Sequence, residues 1–133
     1  MCKRRLLTTL NTIQRMGEKE QDLHWIYMLR LANGSYYTGY TNDLDRRFRA
    51  HRSGRGAKIT RSFAPVSVAA CWKLHASRGM AMRVEAWIKA GTREAKQELI
   101  DHPETLAELL RRRGWEEPIE PVRPPPLIPP PSY

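Results

Sequence analysis

The stretch "HWIYMLRLANGSYYTGYTNDLDRRFRAH", residues 24–51, decides how this chain folds. Trp25, Tyr27, Leu29 and Leu31 alternate with Ile26, Met28 and Arg30, the period-two pattern of a strand that sends successive side chains to opposite faces. After "ANGS", Tyr36 to Tyr40 are again strand-favouring, so the segment reads as a β-hairpin. Its register depends on the turn. A two-residue Asn33-Gly34 loop would pair Tyr27 with Tyr40 and send Tyr27 and Tyr37 to opposite faces. A three-residue Ala32-Asn33-Gly34 loop, with Gly34 left-handed in a bulge, pairs Leu31 with Ser35, Leu29 with Tyr37 and Tyr27 with Gly39. Both tyrosines then share a face. We expect this second register, because Gly39 lacks a side chain and would leave room for a ligand beside Tyr27.

The same stretch then turns helical. In "TNDLDRRFRAHRSG", Asn42 is the expected N-cap, Asp43 and Asp45 suit the positive end of the helix, and Gly54 suits its stop. Leu44 and Phe48 mark the buried stripe, Arg47 and His51 run along one edge of it, and Arg46, Arg49 and Arg52 point outward. A third strand follows in "VSVAACWKL", where Val66, Val68, Ala70, Trp72 and Leu74 share one parity. Ser77 can cap a helix with Met80, Val84, Trp87 and Ile88 as its apolar stripe, Thr92 can cap a short helix to about Asp101, and Pro103 can open another. The implied fold class is α+β, a small three-stranded antiparallel sheet flanked by helices.

At 133 residues the chain can bury one modest core. Residues 1–22 read as an N-terminal extension, 23–101 as the domain, 102–117 as a C-terminal helix and 118–133 as a proline-rich disordered tail open to a proline-binding protein partner. Residues 1–17 are acid-free and Arg-bearing, which leaves organelle targeting open; otherwise the chain is expected in the cytoplasm of a bacterium. No continuous apolar run supports a membrane span or secretory signal. Cys2 and Cys71 propose neither a disulfide framework nor zinc.

The formal charge of +9 favours a polyanionic partner, and the excess is local. Arg46, Arg47, Arg49, Arg52, Arg55, Lys58 and Arg61 face only Asp43 and Asp45 in the span 43–61, the composition of a phosphate-facing surface. Lys58, Arg61, Lys89 and Lys96 read as groups that position a DNA backbone.

These residues resemble the GIY-YIG nucleases, named for two tripeptides on adjacent strands. Here the tripeptides are "WIY" (25–27) and "YTG" (37–39); Trp25 departs from the first glycine and Thr38 from the central residue of the second motif. Arg47 stands eight residues after Gly39, His51 four further on, and Glu85 on a later helix, as the family pattern has its arginine, histidine or tyrosine, and metal-binding glutamate. "YTGYTNDLDRRFRAHRSGRGAKITR" and "MRVEAWIKAGTREAKQELI" look like the small stand-alone bacterial members, and the likeness spans about residues 23–100. Taken singly, Glu85 is better explained by an i,i+4 pair with Lys89; the ordered set Tyr27, Tyr37, Gly39, Arg47, His51 and Glu85 is far more specific.

The resemblance implies an endonuclease that hydrolyses DNA phosphodiester bonds with Mg²⁺ or Mn²⁺ held by Glu85, selective for branched or flapped DNA in repair or recombination. It implies that Arg47 contacts the scissile phosphate, that Tyr27 acts as general base with its pKa lowered by the metal or Arg47 or as part of a water-activating pair, that Tyr37 hydrogen-bonds the attacking water or a phosphate oxygen, and that His51 accepts a proton or orients one of the tyrosines. The alternative is a catalytically weak nucleic-acid-binding module that recruits a partner through its proline-rich tail.

Overall fold

The computed structural model describes residues 22–130. The expectations for residues 1–21 therefore lie outside the described residues. β1 (Leu23–Leu31) and β2 (Tyr36–Thr41) pair antiparallel with Tyr27 opposite Gly39 and Leu29 opposite Tyr37. Gly34 takes φ +86°, and the Leu31 N–H donates to the Ser35 carbonyl at 2.9 Å. This is the three-residue turn.

β3 (Pro65–His75) pairs with the other side of β1, and a fourth strand, β4 (Ile119–Pro121), adds to β3, giving the order β2-β1-β3-β4. The expected sheet had three strands. The fourth comes from the segment expected to be disordered: the His75 N–H donates to the Pro118 carbonyl at 2.9 Å and the Val122 N–H to the Cys71 carbonyl at 2.8 Å. Proline is tolerated there because an edge strand needs donors on one side only. Val122 and Ile128 then pack against the sheet.

β1 is central and buried on both faces. Ile26 and Met28 join Ala70, Trp72 and Leu74 beneath α3 (Arg78–Lys89), with Leu99 of α4 (Arg93–Asp101) and Leu106 and Leu110 of α5 (Thr105–Arg112) completing that core. Tyr27, Leu29 and Leu31 join Val68, Cys71 and Phe48 of α1 (Leu44–Arg52) on the opposite face. The single parity expected for the third strand fails at two bulges. Met28 pairs with Ala70 but Leu29 with Val68, and Arg30 pairs with Ser67 but Leu31 with Pro65, so Ala69 and Val66 are the extra residues. The first bulge moves Val68 to the Tyr27 face, and the second leaves Val66 61% exposed.

Capping follows side-chain chemistry. Ser77 and Thr92 accept from the Met80 and Ala95 N–H groups as expected, and Gly54 leaves α1 with φ +82°. α1 itself is capped by Asp43, not Asn42: the Asp43 carboxylate accepts from the Arg46 N–H at 3.1 Å. A short α2 (Lys58–Ser62) lies between α1 and β3. Among the described residues, no helix is long and apolar enough to cross a membrane.

Candidate active site

α1 and α3 pack on opposite faces of the sheet, and side chains from both reach past its β2 edge into one open cleft of about 330 Å³. Tyr37 from β2, Arg47 from α1 and Glu85 from α3 line it, with Tyr40, Asn42 and Arg78 alongside. Three of the five expected catalytic residues thus share a wall. The other two lie behind Arg47.

Tyr27 is fully buried under α1, its ring 5.2 Å from that of Phe48. Its hydroxyl lies 2.8 Å from His51 Nε2, and Arg47 Nε donates to it at 3.4 Å. Arg47, which also lines the cleft, therefore links the phenol to it. The proton directions follow from donor counting. The Thr60 hydroxyl spends its one hydrogen on the Ala57 carbonyl at 2.8 Å, so it can only accept from His51 Nδ1 at 3.0 Å. Nδ1 carries the ring proton, Nε2 is the acceptor, and the Tyr27 hydroxyl donates to it.

Electrostatics agree with this direction. Burial, reinforced by the Arg47 charge, lowers the His51 pKa to about 4, so the ring is neutral at pH 7. Burial raises the Tyr27 pKa by more than the Arg47 hydrogen bond lowers it. Arg47 lowers the Tyr27 pKa as expected, but enclosure of the ring outweighs it, and the resting phenol is a proton donor to His51.

Two glycines make the enclosure possible. A Cβ on Gly39 would lie 2.5 Å from the Tyr27 hydroxyl, so the space expected to admit a ligand is filled by the tyrosine itself. A Cβ on Gly56 would lie 2.3 Å from His51 Nδ1 and 2.9 Å from its Cα. Sequence reasoning missed Gly56 and Thr60, whose contacts with His51 cross the loop between α1 and α2. It also missed Arg78, which follows the Ser77 cap and donates to the Tyr40 hydroxyl at 3.2 Å in the cleft.

The Glu85 side chain is 18% exposed, with Lys89 Nζ 3.7 Å from one carboxylate oxygen. Lys89 also lies over the Tyr37 ring, 5.6 Å from its centre. Among the described residues, no three His, Cys, Asp or Glu side chains cluster to hold a metal by themselves. One hard carboxylate does not suit zinc, but it suits Mg²⁺ or Mn²⁺, which can keep water and phosphate oxygens as their remaining ligands.

Of the expected backbone-positioning residues, Arg46, Arg49, Arg55, Lys58 and Arg61 are exposed. Arg49 is paired with Asp45 at 2.8 Å. Arg52 turns inward instead, donating through Nη1 to the Pro65 carbonyl at 3.3 Å. Lys96 lines a separate apolar groove with Trp87, Leu99 and Leu109, away from the cleft.

The GIY-YIG catalytic domain family matches residues 23–98. A UPF0213 protein of Halalkalibacterium halodurans is 44% identical over 77 residues, which cover 58% of this chain and 81% of that protein. A UPF0213 protein of Haloquadratum walsbyi is 41% identical over 80 residues, covering 60% and 89%. The solution NMR structure of a UPF0213 protein from Bacillus halodurans is 43% identical, covers 59% of this chain and 83% of that one, and gives a TM-score of 0.40. The hairpin, the Arg47/His51 helix and the Glu85 helix all fall inside the matched residues, and the chain belongs to the GIY-YIG catalytic domain family.

Proposed function

We propose that this protein is a divalent-metal-dependent endonuclease that hydrolyses DNA phosphodiester bonds, selective for branched or flapped substrates of repair or recombination. One observation carries this reading: Arg47 and Glu85, from helices on opposite faces of the sheet, meet in one cleft with the Tyr27–His51 pair directly behind Arg47.

In this reading the Arg47 guanidinium binds the scissile phosphate and stabilises the charge that builds on its oxygens. Tyr37 hydrogen-bonds the attacking water or a phosphate oxygen from the cleft wall. Neutral His51 accepts the Tyr27 proton through Nε2 as the phenol oxygen takes one from the attacking water, so no free phenolate is required. Glu85 would hold Mg²⁺ or Mn²⁺, which supplies Lewis-acid neutralisation and a more acidic water. Exposed Arg46, Arg55, Lys58 and Arg61 add salt-dependent affinity for the backbone.

The test is cleavage of linear, flapped and four-way-branched DNA with Mg²⁺, Mn²⁺ or chelator. Glu85→Ala and Arg47→Ala should each lower cleavage about 10²–10³-fold while the fold persists. Wild-type protein that binds DNA yet cuts none of these substrates under either metal would leave the non-catalytic binding module as the function. The partner-recruiting tail has less support than the nuclease reading, since Ile119–Pro121 is engaged as a strand and Val122 and Ile128 pack on the sheet.

A further inference from the structure

We propose that Ile59 and Phe63 form an apolar wedge that enters an opened base step of the DNA bound across the cleft. This rests on the reading of the cleft as a phosphodiester site and explains how such a site would select irregular DNA.

Among the described residues five large hydrophobics are left exposed, and three of them, Ile59, Phe63 and Val66, fall within one short stretch of chain. Ile59 is 40% and Phe63 41% exposed. Ile59 is in α2 and Phe63 is its C-cap, one turn on, with the Phe63 N–H donating to the Ile59 carbonyl at 2.9 Å. The inward side of α2 is Thr60, which is buried against His51. Neither Ile59 nor Phe63 belongs to either core cluster.

The surroundings indicate what covers them. Arg55, Lys58 and Arg61 flank the pair and are exposed, and from Arg46 to Val84 the sequence contains no Asp or Glu. A protein-docking patch has a core depleted in charge, whereas apolar side chains among cations match DNA, with phosphates on the cations and an unstacked base step on the wedge. α2 is also coupled to the cleft. Arg47 donates to the Tyr27 hydroxyl (3.4 Å), Tyr27 to His51 Nε2 (2.8 Å) and His51 Nδ1 to the Thr60 hydroxyl (3.0 Å).

Opening a base step costs a few kcal/mol in intact duplex and less at a mismatch, flap or junction. DNA already open near α2 therefore binds more tightly than fully paired DNA of the same charge. Selectivity arises from the cost of deformation and not from base reading.

The experiment uses the full chain without metal and a DNA carrying 2-aminopurine at a mismatched step, with anisotropy of a dye on the same DNA reporting binding. Wild-type protein should raise 2-aminopurine fluorescence several-fold. Ile59→Ser/Phe63→Ser should abolish the rise and weaken binding on the order of 10-fold, with a cooperative melting transition retained because neither side chain belongs to a core cluster. Lys58→Ala/Arg61→Ala should lower the salt dependence of binding by about two phosphate contacts yet keep the rise per bound protein. Wild-type binding with unchanged fluorescence, or a full rise in the serine double variant, overturns the wedge alone. Absence of wild-type binding to any of the DNAs overturns both the wedge and the nuclease reading beneath it.

Discussion

Tyr27 and Tyr37 stand on the same face of one hairpin, their rings 6.3 Å apart, yet they belong to different media. The region around Tyr27, His51 and Thr60 is dry, and every polar atom in its hydrogen-bond chain has a partner whose direction is fixed by donor counting. The region around Tyr37, Arg47 and Glu85 is wet: the groups are half-buried, and their free donors and acceptors point into an open cleft. An unpaired buried donor costs about 1–3 kcal/mol, so the dry side must be complete before substrate arrives. In the proposed reaction the wet side must be incomplete, because its missing partners would be supplied by the substrate. Arg47 belongs to both, and it joins the proton chain to the cleft.

Removing one hydroxyl from each region is the sharpest test of the contrast. Tyr27→Phe deprives His51 Nε2 of its donor and Arg47 Nε of its acceptor, and single-turnover cleavage should fall about 10²–10⁴-fold. Tyr37→Phe should cost only about 10-fold, the worth of one hydrogen bond partly replaced by water. Equal losses would erase the distinction.

Proton linkage probes the dry region without mutation. The folded His51 pKa of about 4 lies below its ordinary value of 6.5. Between these values the unfolded chain binds a proton that the folded chain refuses, so stability is fully present above the window and is lost as pH falls through it. Urea unfolding at stepped pH should show a loss approaching about 3 kcal/mol, one that His51→Gln removes. A flat wild-type profile would mean that His51 is not held neutral.

A smaller effect is expected from Gly39→Ala, whose methyl meets the Tyr27 hydroxyl and should cost about 1–3 kcal/mol. Combined with Tyr27→Phe the cost should be less than additive, since the closest clash is then gone. Asp43→Ala should cost about 1 kcal/mol by uncapping α1, while Asn42→Ala, at the cleft wall, should leave the denaturation midpoint unchanged. Reversed results would return the cap to Asn42.

The hairpin register, the Ser77 and Thr92 caps and the Gly54 stop were legible because each is decided by chemistry within a few residues. The two β3 bulges were not, since Val66, Val68 and Ala70 alternate without fault and only pairing with β1 reveals the extra residues. β4 was hidden for a similar reason: proline-rich composition describes a chain alone, and the open edge of β3 is a tertiary fact. In the site, Arg47 and Glu85 came from an ordered pattern of residues, and the structure brings them together. The lowering of the Tyr27 pKa by Arg47 was legible, whereas the larger opposing effect of burial depends on how completely α1 covers the ring. Thr60 carried no signal beyond its position nine residues after His51.

The brief β4 strand has a bearing on solubility. A sheet that ended at β3 would present a long row of unpaired backbone groups, a template on which a second molecule could grow. β4 covers part of that row, and the chain then runs into Pro124, Pro125 and Pro126, none of which has an N–H to offer. The proline-rich segment thereby acts as a terminator that guards this basic protein against stacking edge to edge with its own copies.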